Sequence, residues 1–156
     1  GANFLETWLS PVAYTRGFSK MRKGRNGRRG YFVQFESRMS QTAAVADEWI
    51  PLRPGTEGLV AAALGGLVAE ATGGSPSRVD AANAAAKAGI SLETLEAVAA
   101  RIVQANAPLA VVGGAALAQS NGLQIAKSVL ALNALINKAD SPTVFLSPLA
   151  PGEKDP

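Results

Sequence analysis

The sequence predicts an α/β fold with a doubly wound, mainly parallel sheet, and three observations carry that prediction. Short apolar runs near residues 31–36, 48–52, 109–113 and 143–147 alternate with stretches of helical periodicity, the pattern of parallel strands joined by helical crossovers. Glycine is abundant and aromatic residues make up only 6% of the chain, which suits close helix–sheet packing better than a β-sandwich. Glu36 stands where the first of these strands should stop. In doubly wound folds ligands bind beyond the carboxyl ends of the strands, where an acidic group suits a ribose hydroxyl pair. The plainer reading of Glu36 is a solvated strand end.

In chain order, residues 1–7 read as a loop. Ser10 and Pro11 then supply an N-cap and a first helical residue. A helix over 11–23 puts Tyr14, Phe18 and Met21 on one face, expected to pack inward, and Arg16, Lys20 and Lys23 on another. Gly24, Gly27 and Gly30 break it into a basic turn before the strand at Tyr31. A second strand around Trp49 meets a Pro-Gly turn, and a helix over 56–72 follows, with small residues that allow close approach at some cost in propensity. An alanine-rich helix over 80–88 ends at Gly89. Ser91 caps an amphipathic helix carrying Leu92, Leu95, Val98, Ala99, Ile102 and Val103 on one stripe. Residues 109–112 have the continuous apolar character of a buried parallel strand. A helix over 121–137 is apolar around much of its girth, and a last strand follows Pro142. The domain is thus expected over 1–147, with 148–156 a Pro- and charge-rich tail or linker.

The pattern has one gap: the loop at Gly1 leads away as if from a strand, and the first strand of the sheet is missing. In the usual strand order, the slot between the strands at Tyr31 and Leu109 belongs to that missing strand, and it should be empty or filled from elsewhere. Gly1 in place of methionine suggests a chain processed or cut from something longer.

At 156 residues, 47% hydrophobic and 17% charged, the chain suits one domain with a packed core. It holds no cysteine and no histidine, so its own side chains offer no disulfide, thiolate or imidazole metal site, iron–sulfur ligand or Ser-His-Asp triad. No apolar run reaches the roughly 18 residues of a membrane span. Seven of the 15 basic residues (Arg16, Lys20, Arg22, Lys23, Arg25, Arg28, Arg29) form one block without an acidic residue inside it. Residues 22–29 are expected to be exposed, poorly packed and suited to an acidic neighbour. Without a recognition motif or stacking platform, they do not read as a nucleic-acid surface.

The order Gly1-Ala-Asn3, Glu36-Ser-Arg38, Thr42, Ala46-Asp47 and Arg53-Pro-Gly-Thr56 resembles the large subunits of molybdopterin oxidoreductases, the group related to dimethyl sulfoxide reductase. Val111-Val-Gly-Gly114, Gln119-Ser-Asn-Gly122 and Leu132-Asn133 extend the likeness over most of the chain. The resemblance implies a Rossmann-like domain holding the guanine dinucleotide end of a molybdopterin cofactor. Gly1 and Asn3 would meet the dinucleotide in a loop after the first strand. Glu36 and Arg38 would reach its nucleoside end, and Gly55 and Thr56 would lie before the following helix. Phe4, Ser37 and the basic turn depart from the usual pattern and look closest to the molybdopterin-like subunit of the quinol-oxidising alternative complex III. In that branch the fold is kept and the molybdenum cofactor is thought to be absent.

Two readings stay open at this point: a cofactor-binding domain of an oxidoreductase subunit, and a cofactor-free structural or interaction domain of an electron-transfer complex. Under either, the implied partners are the remaining domains of the parent subunit together with iron–sulfur and membrane subunits, in a periplasmic or membrane-complex setting. The chain alone carries no catalytic constellation. Glu57 suits the first turn of its helix but would repel a phosphate there, and Phe4 is bulky where a backbone would have to approach closely.

Overall fold

A computed structural model describes residues 1–24, 28–74 and 79–137. These residues form six α-helices and a two-stranded parallel sheet: α1 (Pro11–Lys23), β1 (Val33–Glu36), α2 (Gln41–Ala44), β2 (Glu48–Pro51), α3 (Glu57–Ala71), α4 (Ala81–Ala88), α5 (Leu92–Gln104) and α6 (Gly122–Ile136), with a 3-10 turn at Gly114–Ala116. β1 and β2 run in register from Val33 opposite Glu48 to Glu36 opposite Pro51.

Local chemistry accounts for the helix ends. Pro11 presets the first turn of α1. Asp80 accepts from the Ala82 and Asn83 amides to start α4, and Gly89 ends it in the left-handed conformation. Ser91 accepts from the Thr94 amide at the start of α5. The core is built around α3, which is buried on most of its girth (Val60, Ala61, Ala63, Leu64, Val68, Ala69). Against it lie Leu95, Val98 and Ala99 of α5, Ala84, Ala85 and Ala88 of α4, and Leu132 and Ile136 of α6. Ile50 and Leu52 join the same cluster from β2 and the residue after it. Gly58 lets α6 come close, since a Cβ there would stand 3.1 Å from the Ile125 Cα.

Three expectations need correction. Residues 109–113 form no strand: the amide and carbonyl of Ala110 bond the Asn133 side chain of α6 at 2.9 and 2.7 Å, so a helix side chain takes the place of a ladder partner. The inward-facing stripe on α1 is only half realised, because the helix has no fully buried residue and Met21 is exposed. Tyr14 and Phe18 instead meet Phe4 edge-to-face, at 6.4 and 6.2 Å between ring centroids. The basic block is not all loose surface: Arg22 and Arg29 both bond the carboxylate of Asp47, and Arg22 lies over the Phe18 ring. The four-residue helix α2, started by the Ser40 hydroxyl accepting from the Ala43 amide, has no counterpart in the sequence reading. The expected strand over 143–147, the tail over 148–156 and Arg25 lie outside the described residues.

Candidate functional site

The carboxyl edge of the β1–β2 pair is where the candidate residues gather. Gly1 donates from its amino group to the Phe35 carbonyl at 2.7 Å, beside the end of β1. Asn3 is held by Thr42, a fully buried residue, whose hydroxyl donates to Asn3 Oδ1 at 2.7 Å and accepts from the Leu5 amide. The other end of the Asn3 amide donates to Glu6 at 2.6 Å. Glu36 accepts from the Ser40 amide at 3.2 Å, so one carboxylate oxygen is spent at the start of α2. Asn3 and Glu36 therefore lie at the same end of the domain, joined through the turn that carries Ser40 and Thr42.

Arg38 and Thr56 are placed differently. Arg38 is exposed and takes part in no described hydrogen bond or ion pair. Thr56 turns its hydroxyl back onto the Arg53 carbonyl at 2.6 Å and leaves the start of α3 without a side-chain cap. Arg53, two residues before Gly55, is committed to the end of α4, where its guanidinium donates to the Ala86 and Lys87 carbonyls. Gly55 has φ +85°, the left-handed region that favours glycine. Its carbonyl accepts from Asn121 at 3.0 Å.

Glu57, Gln119 and Asn121 complete this edge; the sequence singles out Glu57 for its place in the first helical turn and marks Gln119 and Asn121 only as members of a longer motif. Gln119 donates to Glu57 Oε1 at 3.3 Å. The other oxygen of Glu57 is buried without a hydrogen-bond partner. Glu57 thus stands in the first turn of α3, whose positive dipole end suits a carboxylate, and is tied to the turn ahead of α6. Glu36 and Glu57 also act on the Gly1 ammonium. Burial pushes that amine below its ordinary value, and the two carboxylates offset the shift only in part.

The fit of a pterin dinucleotide to this edge can be tested on the same geometry. Its phosphates would need open backbone amides and positive potential. The chain fills the close-approach positions itself. A Cβ at Gly113 would stand 2.6 Å from the Trp8 ring, and one at Gly55 would stand 3.2 Å from Gln119 Oε1. Phe4 lies among Trp8, Tyr14, Phe18 and Phe32, each edge-to-face with it at 5.8–6.4 Å, and closes the loop side. With Glu36 and Glu57 at the edge, the residues present do not fit a bound dinucleotide phosphate. Two open grooves lie away from it: one of about 360 Å³ lined by Ala61, Gly65, Lys127 and Leu135, and one of about 280 Å³ lined by Leu59, Val79 and Lys87. Among the described residues, no group of three or more acidic side chains is placed to hold a metal ion, and no helix is long and apolar enough to cross a membrane.

No protein-family model matches the sequence. The chain is similar to the menaquinone reductase molybdopterin-binding-like subunit of Nitratidesulfovibrio vulgaris, with 31% identity over 151 residues. The match covers 90% of this chain and 22% of that protein, so the chain spans about a fifth of the relative's length. At this level of likeness the comparison supports a molybdopterin-related family.

Proposed function

We propose that the chain is a Rossmann-like domain of a larger molybdopterin-related subunit in a quinone-linked electron-transfer complex, serving there as a cofactor-free scaffold. The observation that carries this reading is the half-buried carboxylate of Glu57 at the start of α3, one oxygen of which is buried without a hydrogen-bond partner. An anion placed there would meet a like charge where other dinucleotide folds offer open amides. Trp8 against Gly113 and Gln119 against Gly55 add a steric argument to the electrostatic one. The partners in this reading are the remaining domains of the subunit, with iron–sulfur and membrane subunits beyond them, and the chain alone has no redox turnover.

Calorimetry with guanosine diphosphate tests the proposal. The scaffold reading expects no heat, or binding no tighter than about millimolar, equivalent to about −4 kcal/mol. Micromolar binding that disappears in Glu36→Ala would overturn it. That result would restore a site for molybdopterin guanine dinucleotide built from Gly1, Asn3, Glu36, Arg38, Gly55 and Thr56.

A further inference from the structure

Helix α1 is attached to the molecule in a way that no other described helix is. It spans 13 residues and none of them is fully buried, whereas every other described α-helix has at least two that are. Its sequence also makes a weak helix. Ser10 forms no side-chain cap bond. Gly17 stands in the helix interior with nothing within 4 Å of a Cβ built on it, so no close approach requires the glycine. Only proline is less favourable at such a position, and a helix of this length is marginal in water without tertiary support.

That support comes from one side only. Tyr14 and Phe18 meet Phe4 edge-to-face, Tyr14 meets Trp8 at 5.7 Å, and Phe18 meets Phe32 at 5.6 Å between centroids. At the last turn Arg22 bonds the carboxylate of Asp47, which also takes Arg29 and the Phe32 amide. Among the described residues, this is the side-chain hydrogen bond that ties α1 to another part of the chain. The Arg22 side chain is 24% exposed and that of Asp47 11%, so solvent reaches the pair. The opposite face of α1 carries Val12, Arg16, Lys20 and Lys23, all of them exposed.

We propose that α1 is a strap that opens as a unit while the core around α3 stays folded, with Asp47 as its fastener. Elements with few buried apolar contacts and solvent-facing bonds are the ones that open ahead of the rest of a fold, and α1 meets both conditions. Opening takes Tyr14 and Phe18 away from Phe4 and leaves it Trp8 and Phe32. The ring that closes the loop side of the carboxyl edge is then half uncovered, beside Asn3. What the strap uncovers rests on the scaffold reading above; that it opens rests on the contacts of α1 alone. Because the fastener is an ion pair within reach of solvent, salt loosens it.

Native-state amide hydrogen exchange in the 156-residue chain tests the strap. The amides of Phe18, Met21 and Arg22 report on α1, and those of Val98 and Ala99 on the core. The α1 amides are expected to exchange at least about tenfold faster than the core amides. Sub-denaturing urea should speed the core amides and leave α1 nearly unchanged, because a local opening exposes little surface. Asp47→Asn keeps an acceptor for the Phe32 amide and removes the charge, and should speed exchange in α1 by about tenfold or more. The parent chain in about 1 M salt should move in the same direction, and Gly17→Ala should slow α1 by about fivefold. A single rate and urea dependence shared by α1 and α5 would overturn the proposal, since α1 would then open only with the core. Unchanged α1 exchange in both Asp47→Asn and high salt would overturn it by removing the fastener. Nucleotide calorimetry bears only on the scaffold reading, so the two proposals can fail separately.

Discussion

The amino-terminal third and the helical remainder of this molecule are held together by different means. From Glu57 to Ile136 the helices bury aliphatic side chains and alanine around α3, and stability there scales with apolar area removed from water. From Gly1 to Asp47 little is fully buried: Ala2, Gln34, Thr42 and Ala43 are the buried residues described there. That region is joined by an aromatic group centred on Phe4, by the Thr42–Asn3 bond, and by Asp47 gathering Arg22, Arg29 and the Phe32 amide. The candidate site lies where the two regimes meet. A surface assembled from polar bonds and ring edges can change its loops without disturbing the core.

The largest effect that tests this contrast is expected in the core. Leu95 is completely buried, and Leu95→Ala should cost about 2–5 kcal/mol in chemical unfolding. A cost below about 1 kcal/mol, close to the roughly ±0.5 kcal/mol of surface changes, would mean that α5 does not share the core with α3.

A middle-sized effect is expected at Asp47. Burial alone would raise its pKa, but the Phe32 amide, Arg22 and Arg29 outweigh burial and hold it below the ordinary 3.8. Asp47→Ala leaves an amide and two guanidiniums without their acceptor, and should cost about 1–3 kcal/mol. The sign of the pH effect follows from the lowered value. The stabilisation is fully present above about 3.8 and is lost as pH falls through the folded pKa. Unfolding midpoints measured from pH 6 down to about 2 should therefore converge for the parent and Asp47→Ala. A constant gap between them would show that the carboxylate acts through packing alone.

The smallest effect should come from the rest of the basic block. Arg16, Lys20 and Lys23 are exposed on α1, and replacing all three with glutamine should change stability by less than about 0.5 kcal/mol per site. A loss as large as that of Asp47→Ala would erase the distinction between the clamp at Arg22 and Arg29 and the solvated face beside it.

The helices were legible because their signals are local. Pro11, Asp80, Gly89 and Ser91 act within a turn of where they stand, and α1, α4 and α5 begin where those residues place them. The parallel pairing of β1 and β2 was also in reach, since two short apolar runs with an intervening crossover leave few other arrangements. The place of Glu36 at the carboxyl edge followed from strand direction, and that of Asn3 only from the family resemblance. The spent hydroxyl of Thr56 and the commitment of Arg53 to α4 did not, because both depend on partners that sequence spacing leaves unspecified.

By itself, then, the sequence determined the approximate bounds of every described helix but α2, the carboxyl-edge position of the acidic segment and the absence of cysteine and histidine chemistry, all of which depend on residue type or on neighbours within a few positions. Only the tertiary structure decided that residues 109–113 bond a helix asparagine instead of a strand, that Asp47 binds part of the basic block, and that Trp8 and Gln119 fill the glycine turns. Each of those outcomes is a contact between residues from 18 to more than 100 positions apart, and which of many chemically adequate partners meets a given group is set by how the elements pack.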